Sequence, residues 1–334
     1  MAHAGERWPI GDQPARGASL RSDRGQADRD DQEGRLGARR PLAGTWDRGR
    51  RRAGRSGAGS SERDEVILAA VLRVHLLYLW QHRRVLHLRR PRRFSEWVQH
   101  RKLFDRDPRL PLLTDKVAVK ALVASALGDD WVIPTLWHGR VLPARPPAPL
   151  PLVIKARHGC GQIAFARTPA EWDAARAQAS GWSQTRYGRW LDEWAYAGVT
   201  PGLLVERYLG DGDTLPVDYK LFVFGGRVAF VQVHLHRATA HRWIVMDRDW
   251  VRASPPTHDP DPSRPATLDR MIAGAERLAR DHVFLRIDCY EVDGRPLFGE
   301  ATVYPGSGLL PVVPASLDRQ MGSLWRQARE ELGF

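Results

Sequence analysis

The sequence predicts an α+β protein in two lobes, and three observations predict it. Asp293-Gly294 separates two apolar-alternating runs that begin at Arg286 and return to Tyr304, a strong hairpin signal. Gly225-Gly226 divides residues 217–224 from 227–236 in the same way. A short apolar strand, 151–155, runs into the glycine loop 157–162 and returns over 163–166. Helical patterning lies between these antiparallel pairs, which indicates α+β architecture.

Each element follows in order. Residues 1–62 carry 13 Arg against 9 acids and few aliphatics, too little apolar surface to offset chain entropy, so they are expected to be disordered. Helical patterning then runs from about 64 to 88. A second short helix covers Phe94 to Leu103, with Ser95 as N-cap. Thr114 caps a third helix reaching Leu127, with Val117, Ala118, Ala121, Leu122 and Ala126 as its apolar stripe. Trp131 to Pro134 reads as a short strand and the Pro-rich piece 143–151 as a loop. Thr168 to Ser180 is a helix with Pro169 just inside its start. Leu203 to Leu209 is a strand running into a loop, and 263–281 and 316–332 are helices. The chain thus divides into a disordered Arg/Gly-rich segment 1–62, a basic helical segment 63–110, a first lobe 111–205, a second lobe 206–312 and a C-terminal helix 313–334.

Bulk properties narrow the function classes. A length of 334 residues with 43% hydrophobic content suits one large or two modest domains. Two cysteines, Cys160 and Cys289, make neither a disulfide framework nor a zinc site. The N-terminal residues lack the apolar core of a signal peptide, so a cytoplasmic location is expected. The longest apolar run, Val66 to Trp80, is interrupted by Arg73 and His75 and falls short of the ~20 residues of a spanning helix. It reads either as a helix buried on the body or as one lying on the inner face of a membrane, since arginines 83, 84, 89, 90, 92 and 93 follow it. Net charge is +12, and residues 81–110 hold 10 basic against 3 acidic residues. That density suits a membrane surface, a nucleic acid or an acidic polymer, and equally a plain solvated face.

The 286–308 hairpin carries the clearest chemistry. It places Asp288 and Glu300 on neighbouring strands, where two carboxylates can share one hard cation, with Thr302 and Ser307 as further oxygens. Arg286 lies two residues before Asp288 and shares its face. Lysine usage adds to this. Of the 51 Lys and Arg only five are lysine, and a lysine surviving such a bias is expected to need the chemistry of a compact point charge. Lys116, Lys155 and Lys220 stand in motif-like surroundings, while Lys102 and Lys120 read as solvated. Lys155 ends a strand before Gly159 and Gly161, and a glycine loop lets backbone N–H groups approach phosphates. Glu206, on a strand, reads either as part of a base-binding linker or as the edge of a buried strand.

In order and spacing these pieces resemble the ATP-grasp fold. The closer likeness is to the TupA-like ATP-grasp family of bacterial surface-polysaccharide gene clusters. It rests on Phe94 to Trp97, Lys102 to Pro108, Thr114 to Val119, Asp218 to Phe222 and Phe298 to Gly308, and covers about residues 90–312. The resemblance implies two α+β lobes gripping ATP, preceded by helices. It implies that Lys116 and Lys155 hold phosphates under the loop of Gly159 and Gly161, with Lys220 also in the nucleotide site. Glu206 and its neighbours would contact adenine and Asp218 the ribose. Asp288, Glu300 and Thr302 would bind Mg²⁺, with Thr302 standing where many such enzymes have Asn. Arg286 would stabilise the transferred phosphoryl group.

The implied activity is an ADP-forming ligase that joins a carboxylate to an amine through an acyl phosphate, on small-molecule or polysaccharide-linked substrates of the cell envelope. No nucleic-acid partner is expected, and peripheral membrane contact through 66–93 stays open. His234 to Arg242 fits a substrate- or phosphate-facing loop. Two rivals remain. Asp211-Gly-Asp213 and Asp247-Arg-Asp249 are patterns a glycosyltransferase uses for a nucleotide-sugar metal, and the Arg-rich segments could make a non-catalytic binder of acidic polymer.

Overall fold

The computed structural model describes residues 58–236 and 241–334, with side chains from residue 67 onward. Of the residues expected to be disordered, 1–62, residues 1–57 lie outside the described residues, while 58–62 belong to the first turns of a helix. Among the described residues, helices α1 (Ala58–His82), α2 (Phe94–Phe104), α3 (Leu110–Thr114) and α4 (Ala118–Leu127) come first. Strands β1 (Thr135–Gly139), β2 (Leu152–Ala156) and β3 (Ile163–Ala166), helix α5 (Pro169–Ala179) and strand β4 (Leu203–Arg207) follow. Then come β5 (Asp218–Phe224), β6 (Arg227–Leu235), β7 (Arg242–Asp247), α6 (Leu268–Ala279), β8 (Phe284–Val292), β9 (Arg295–Thr302) and α7 (Ala315–Glu331).

Two antiparallel sheets result, one ordered β1-β4-β2-β3 and the other β7-β6-β5-β8-β9. The expected α+β class is therefore what the chain adopts. Helix α5 covers the smaller sheet with Trp172, Ala175 and Ala179 over Leu152, Ile154 and Ala166. Its N-terminus is a capping box: the Glu171 N–H donates to Thr168 Oγ1 at 3.2 Å, and the Glu171 carboxylate receives the Thr168 N–H at 3.3 Å. The larger sheet packs against α6 and α7, with Phe284 and Trp325 stacked at 4.5 Å at the centre of an aromatic cluster that includes Phe94 and Phe224.

Both glycine-marked hairpins form. Gly225 and Gly226 have φ of 54° and 75°, and Asp293 and Gly294 have 51° and 67°, the left-handed pair that a two-residue turn matched to strand twist requires.

Four boundaries differ from the expectation. Ser95 is not the cap of α2. The Glu96 carboxylate takes the N–H groups of Arg92 at 2.7 Å and Arg93 at 3.2 Å, while Ser95 is buried and donates to both oxygens of Asp318. Thr114 ends α3 rather than starting one long helix. Its hydroxyl turns to backbone carbonyls, and Asp115 Oδ1 accepts from Val117 and Ala118 to start α4. Trp131 to Pro134 is not a strand. Trp131 closes a 3₁₀ turn, Val132 makes one bridge to Phe298, and the strand starts after Pro134, which has no N–H to give a ladder. Strand β7 forms in a stretch for which no element was expected, beginning at the last residue of the expected 234–242 loop, because Ile244 and Met246 alternate into the core beside β6.

Candidate functional site

Register puts the acids where the hairpin argument asks. Asp288 pairs across with Glu300, Arg286 with Thr302, and Lys220 of β5 with Asp288. Because strand residues alternate, Asp218, Lys220, Arg286 and Asp288 share one face while Leu221, Ile287 and Cys289 fill the core on the other. After Asp288–Glu300 the next pair is Cys289–Phe298, so Gly299 is the extra residue of a β-bulge beside Glu300. A Cβ there would stand 3.0 Å from the Tyr290 ring and 3.2 Å from the Asp288 carbonyl oxygen. Gly299 was not anticipated; a Gly flanked by large residues inside a strand was its only signal.

On this face Arg286 grips Asp288 with two parallel bonds, Nε to Oδ1 at 2.7 Å and Nη2 to Oδ2 at 2.8 Å. It also reaches Thr302 Oγ1 at 3.0 Å and Glu300 Oε1 at 3.4 Å, and the Thr302 hydroxyl donates to Glu300 at 3.1 Å. Lys220 lies between Asp218, at 2.8 Å, and Asp288. Burial alone would lower the basicity of Lys220, but Asp288, Asp218 and Glu300 together outweigh it and raise its pKa. Arg286 is likewise held charged, with burial opposed by Asp288.

The smaller sheet carries the complementary set. Lys155 on β2 and Glu206 on β4 lie diagonally across paired strands and meet at 2.6 Å. Lys120 of α4 reaches the other Glu206 oxygen, and also Ile133 O at 2.7 Å and Thr135 Oγ1 at 2.8 Å. Burial disfavours the Glu206 charge, yet Lys155 and then Lys120 overcome this and hold its pKa below the ordinary value. Lys155 and Glu206 line a pocket whose other walls are Ile133, Val153, Ile163, Phe165, Leu215 and Tyr290. Tyr290 comes from β8 of the larger sheet, so both sheets contribute to that pocket.

The glycine loop is stitched to the α3–α4 turn. Arg157 holds Asp115 in a two-pronged pair, Nε to Oδ1 at 2.7 Å and Nη2 to Oδ2 at 2.5 Å, and its carbonyl accepts the Lys116 N–H at 3.2 Å. His158 accepts from the Gly202 N–H at Nδ1, so Nε2 carries the proton donated to Thr185 O at 2.8 Å. Lys116 then reaches Gly159 O and stands 4.0 Å from Glu300 Oε2, bringing the first set of charges to the second. Gly161, at φ 77°, has open space around its Cβ position.

Of the two lysines read as solvated, Lys102 is buried and Lys120 is mostly so, and both readings are corrected. Lys120 is the second cation of the Glu206 cluster. Lys102 is 2% exposed and donates to Ser307 Oγ at 2.5 Å. Burial pulls its pKa down to about 8 against the attraction of Glu193. Ser307, expected to offer a metal oxygen, is instead engaged by Lys102 in a turn at φ 56°. The rarity of lysine, applied to all five, was the signal that would have found both. The acid-rich pairs shape turns: Asp247 Oδ1 accepts from the N–H groups of Asp249 and Val251, and the Asp213 side chain is exposed beside Arg167. In the 234–242 loop, residues 237–240 lie outside the described residues, and His234 packs against His241 and Trp243.

The donor set suits a hard cation. Asp288, Glu300 and Thr302 offer carboxylate and hydroxyl oxygens on adjoining positions, and Mg²⁺ is usually held by one or two carboxylates with substrate phosphates completing the shell. No group of three or more acid, His or Cys ligands stands ready among the described residues.

Solved structures resembling the chain include D-alanine–D-alanine ligase from Bacillus anthracis complexed with ATP, at 15% identity and TM-score 0.41 over 67% of this chain and 68% of that one. The ATP-grasp ligase PsnB complexed with a minimal precursor matches at 14% and 0.39, over 67% and 62%. D-alanine–D-alanine ligase from Helicobacter pylori matches at 14% and 0.36, over 65% and 58%. The chain thus spans less than two thirds of PsnB. No curated protein matches. The model of the TupA-like ATP-grasp family matches residues 96–326, a span that takes in both sheets and every charged group of the candidate site, and the chain therefore belongs to that family.

Proposed function

We propose that the protein joins a carboxylate to an amine at the expense of ATP, through an acyl phosphate, in the building of a bacterial surface polysaccharide. The observation that supports this reading is the approach of Lys116 to Glu300, which brings the lysines beside the smaller sheet to the acids of the larger one. The apolar pocket of Ile133, Val153, Phe165 and Tyr290 takes the adenine, with the Glu206 strand reading its edge and Asp218 nearest the ribose. Lys155, Lys116 and the loop of Gly159 and Gly161 hold the phosphates; Lys220 keeps Asp218 and Asp288 in place. Asp288, Glu300 and Thr302 would hold Mg²⁺, which would supply positive charge beside the phosphates.

Phosphoryl transfer needs positioning and charge stabilisation more than covalent help from the protein. Arg286, fixed by Asp288 and kept charged, supplies a cation for the developing negative charge without reorganising. The substrate carboxylate attacks the γ-phosphorus and ADP leaves; the amine then displaces phosphate from the acyl carbon. Phosphate release with ATP against a panel of uronic and amino acids should depend on one acid, and hydroxylamine should trap the acyl phosphate as a hydroxamate. Lys155→Ala and Glu300→Ala should each abolish turnover with unchanged circular dichroism. Normal turnover in both would remove this site assignment.

A further inference from the structure

Helix α1 is apolar on two sides, and the body covers one. Ala70, Val74 and Tyr78 are buried, with Val74 and Tyr78 packed with Leu86 and Leu88. Leu68, Leu72, Leu76 and Leu79, spaced three or four apart, make a second stripe that is 69%, 59%, 58% and 47% exposed. Trp80 and Val85 extend it at 53% and 67%. Scattered exposed leucines need no explanation, but a continuous stripe on one face does. Arginines 83, 84, 89 and 90 follow, all exposed, and no acid occurs from Ile67 to Ser95. Arg73 is not part of that rim, since it is held by Asp192 at 3.0 Å. No helix among the described residues is long and apolar enough to cross a membrane.

We propose that the outward stripe of α1 and the arginines after it dock on the surface of an anionic bilayer. An interfacial helix buries its apolar face at the acyl boundary while basic side chains meet lipid phosphates, and interfacial Trp anchors such a helix. Charge selects this occupant. A leaflet of anionic headgroups complements these arginines, and no acid from Ile67 to Ser95 opposes it. The surface is separate from the nucleotide site, so its failure would leave the ligase reading untouched.

The test is co-sedimentation of the full chain with vesicles of phosphatidylcholine alone or with about a third phosphatidylglycerol. Binding at least tenfold tighter to the anionic vesicles is expected. Leu72→Ser/Leu76→Ser/Leu79→Ser, which leaves charge unchanged, should lose binding tenfold or more. Arg83→Gln/Arg84→Gln/Arg89→Gln/Arg90→Gln should lose it to a similar extent, and both variants should keep the wild-type thermal shift with MgATP. No sedimentation of the wild type overturns the proposal. So does binding retained by either variant, as general attraction through other arginines would give. A concentration-dependent dimer that the leucine variant abolishes would assign the stripe to a second copy instead.

Discussion

Beside the four-stranded sheet, Lys120 and Lys155 share a single carboxylate, Glu206, while Lys116 reaches toward Glu300; on the five-stranded sheet Asp218, Asp288 and Glu300 face two cations of their own, Lys220 and Arg286. The first set has a positive surplus and the second a negative one. Buried charges are costly unless paired, so each set neutralises itself as far as its count allows, and only the remainder is left for a ligand. A positive remainder suits phosphates and a negative one suits a metal. The sheets also differ in depth. Asp288 is 2% exposed and pinned by two cations, whereas Lys116 keeps 18% of its side chain exposed and contacts only a carbonyl and a distant carboxylate. The first is framework as much as site; the second is free to change partner.

The largest effect should come from Asp288→Asn, which removes the charge that Lys220 and Arg286 share and leaves them Asp218 and Glu300. Breaking a buried pair from one side costs roughly 3–5 kcal/mol, so urea unfolding should shift by that amount and turnover should vanish. A drop below about 1 kcal/mol would mean the negative set is not framework. Glu206→Gln should cost somewhat less, roughly 2–3 kcal/mol, because the amide oxygen still accepts from one lysine. This loss depends on pH. A carboxylate held below its ordinary 4.5 contributes fully above that value and loses its contribution as pH falls toward the depressed one. Wild-type stability should therefore fall below pH 4.5 more steeply than that of Glu206→Gln; parallel curves would place the lysines elsewhere in solution.

Lys116→Met should leave unfolding within about 0.5 kcal/mol of wild type but raise the KM for ATP roughly tenfold or more, the worth of a charge-assisted bond to phosphate. Equal loss of stability and affinity would erase the distinction between framework and site. The smallest effects separate the two hairpin glycines. Gly294→Ala and Gly161→Ala each force a side chain into left-handed backbone at about 1–2 kcal/mol. Only Gly161→Ala should also weaken ATP, measured by thermal shift with MgATP.

Much of the fold could be read locally. Asp293-Gly294 and Gly225-Gly226 named their turns because few residue types tolerate that backbone, and Pro169 after Thr168 named a helix start because its fixed φ suits the first helical position. Ser95 and Thr114 misled for the opposite reason. Both types cap helices, but here Asp318 and the Ala195 carbonyl, distant in sequence, claim them. Strand β7 escaped notice because its pairing partner, not its own composition, makes it a strand.

The sequence by itself determined the α+β class, both hairpins, the alternation that puts Arg286 and Asp288 on one face, and the scarcity that singles out lysine. These follow from backbone sterics and a period of two, which act over a few residues. Tertiary structure decided that Lys120 completes the Glu206 cluster, that Lys102 is buried against Ser307, that Gly299 bulges beside Glu300, and that Lys116 reaches across to Glu300. Those facts depend on which distant segments share a dry interior, where an ammonium must find an oxygen partner and any of several acids along the chain could have provided it.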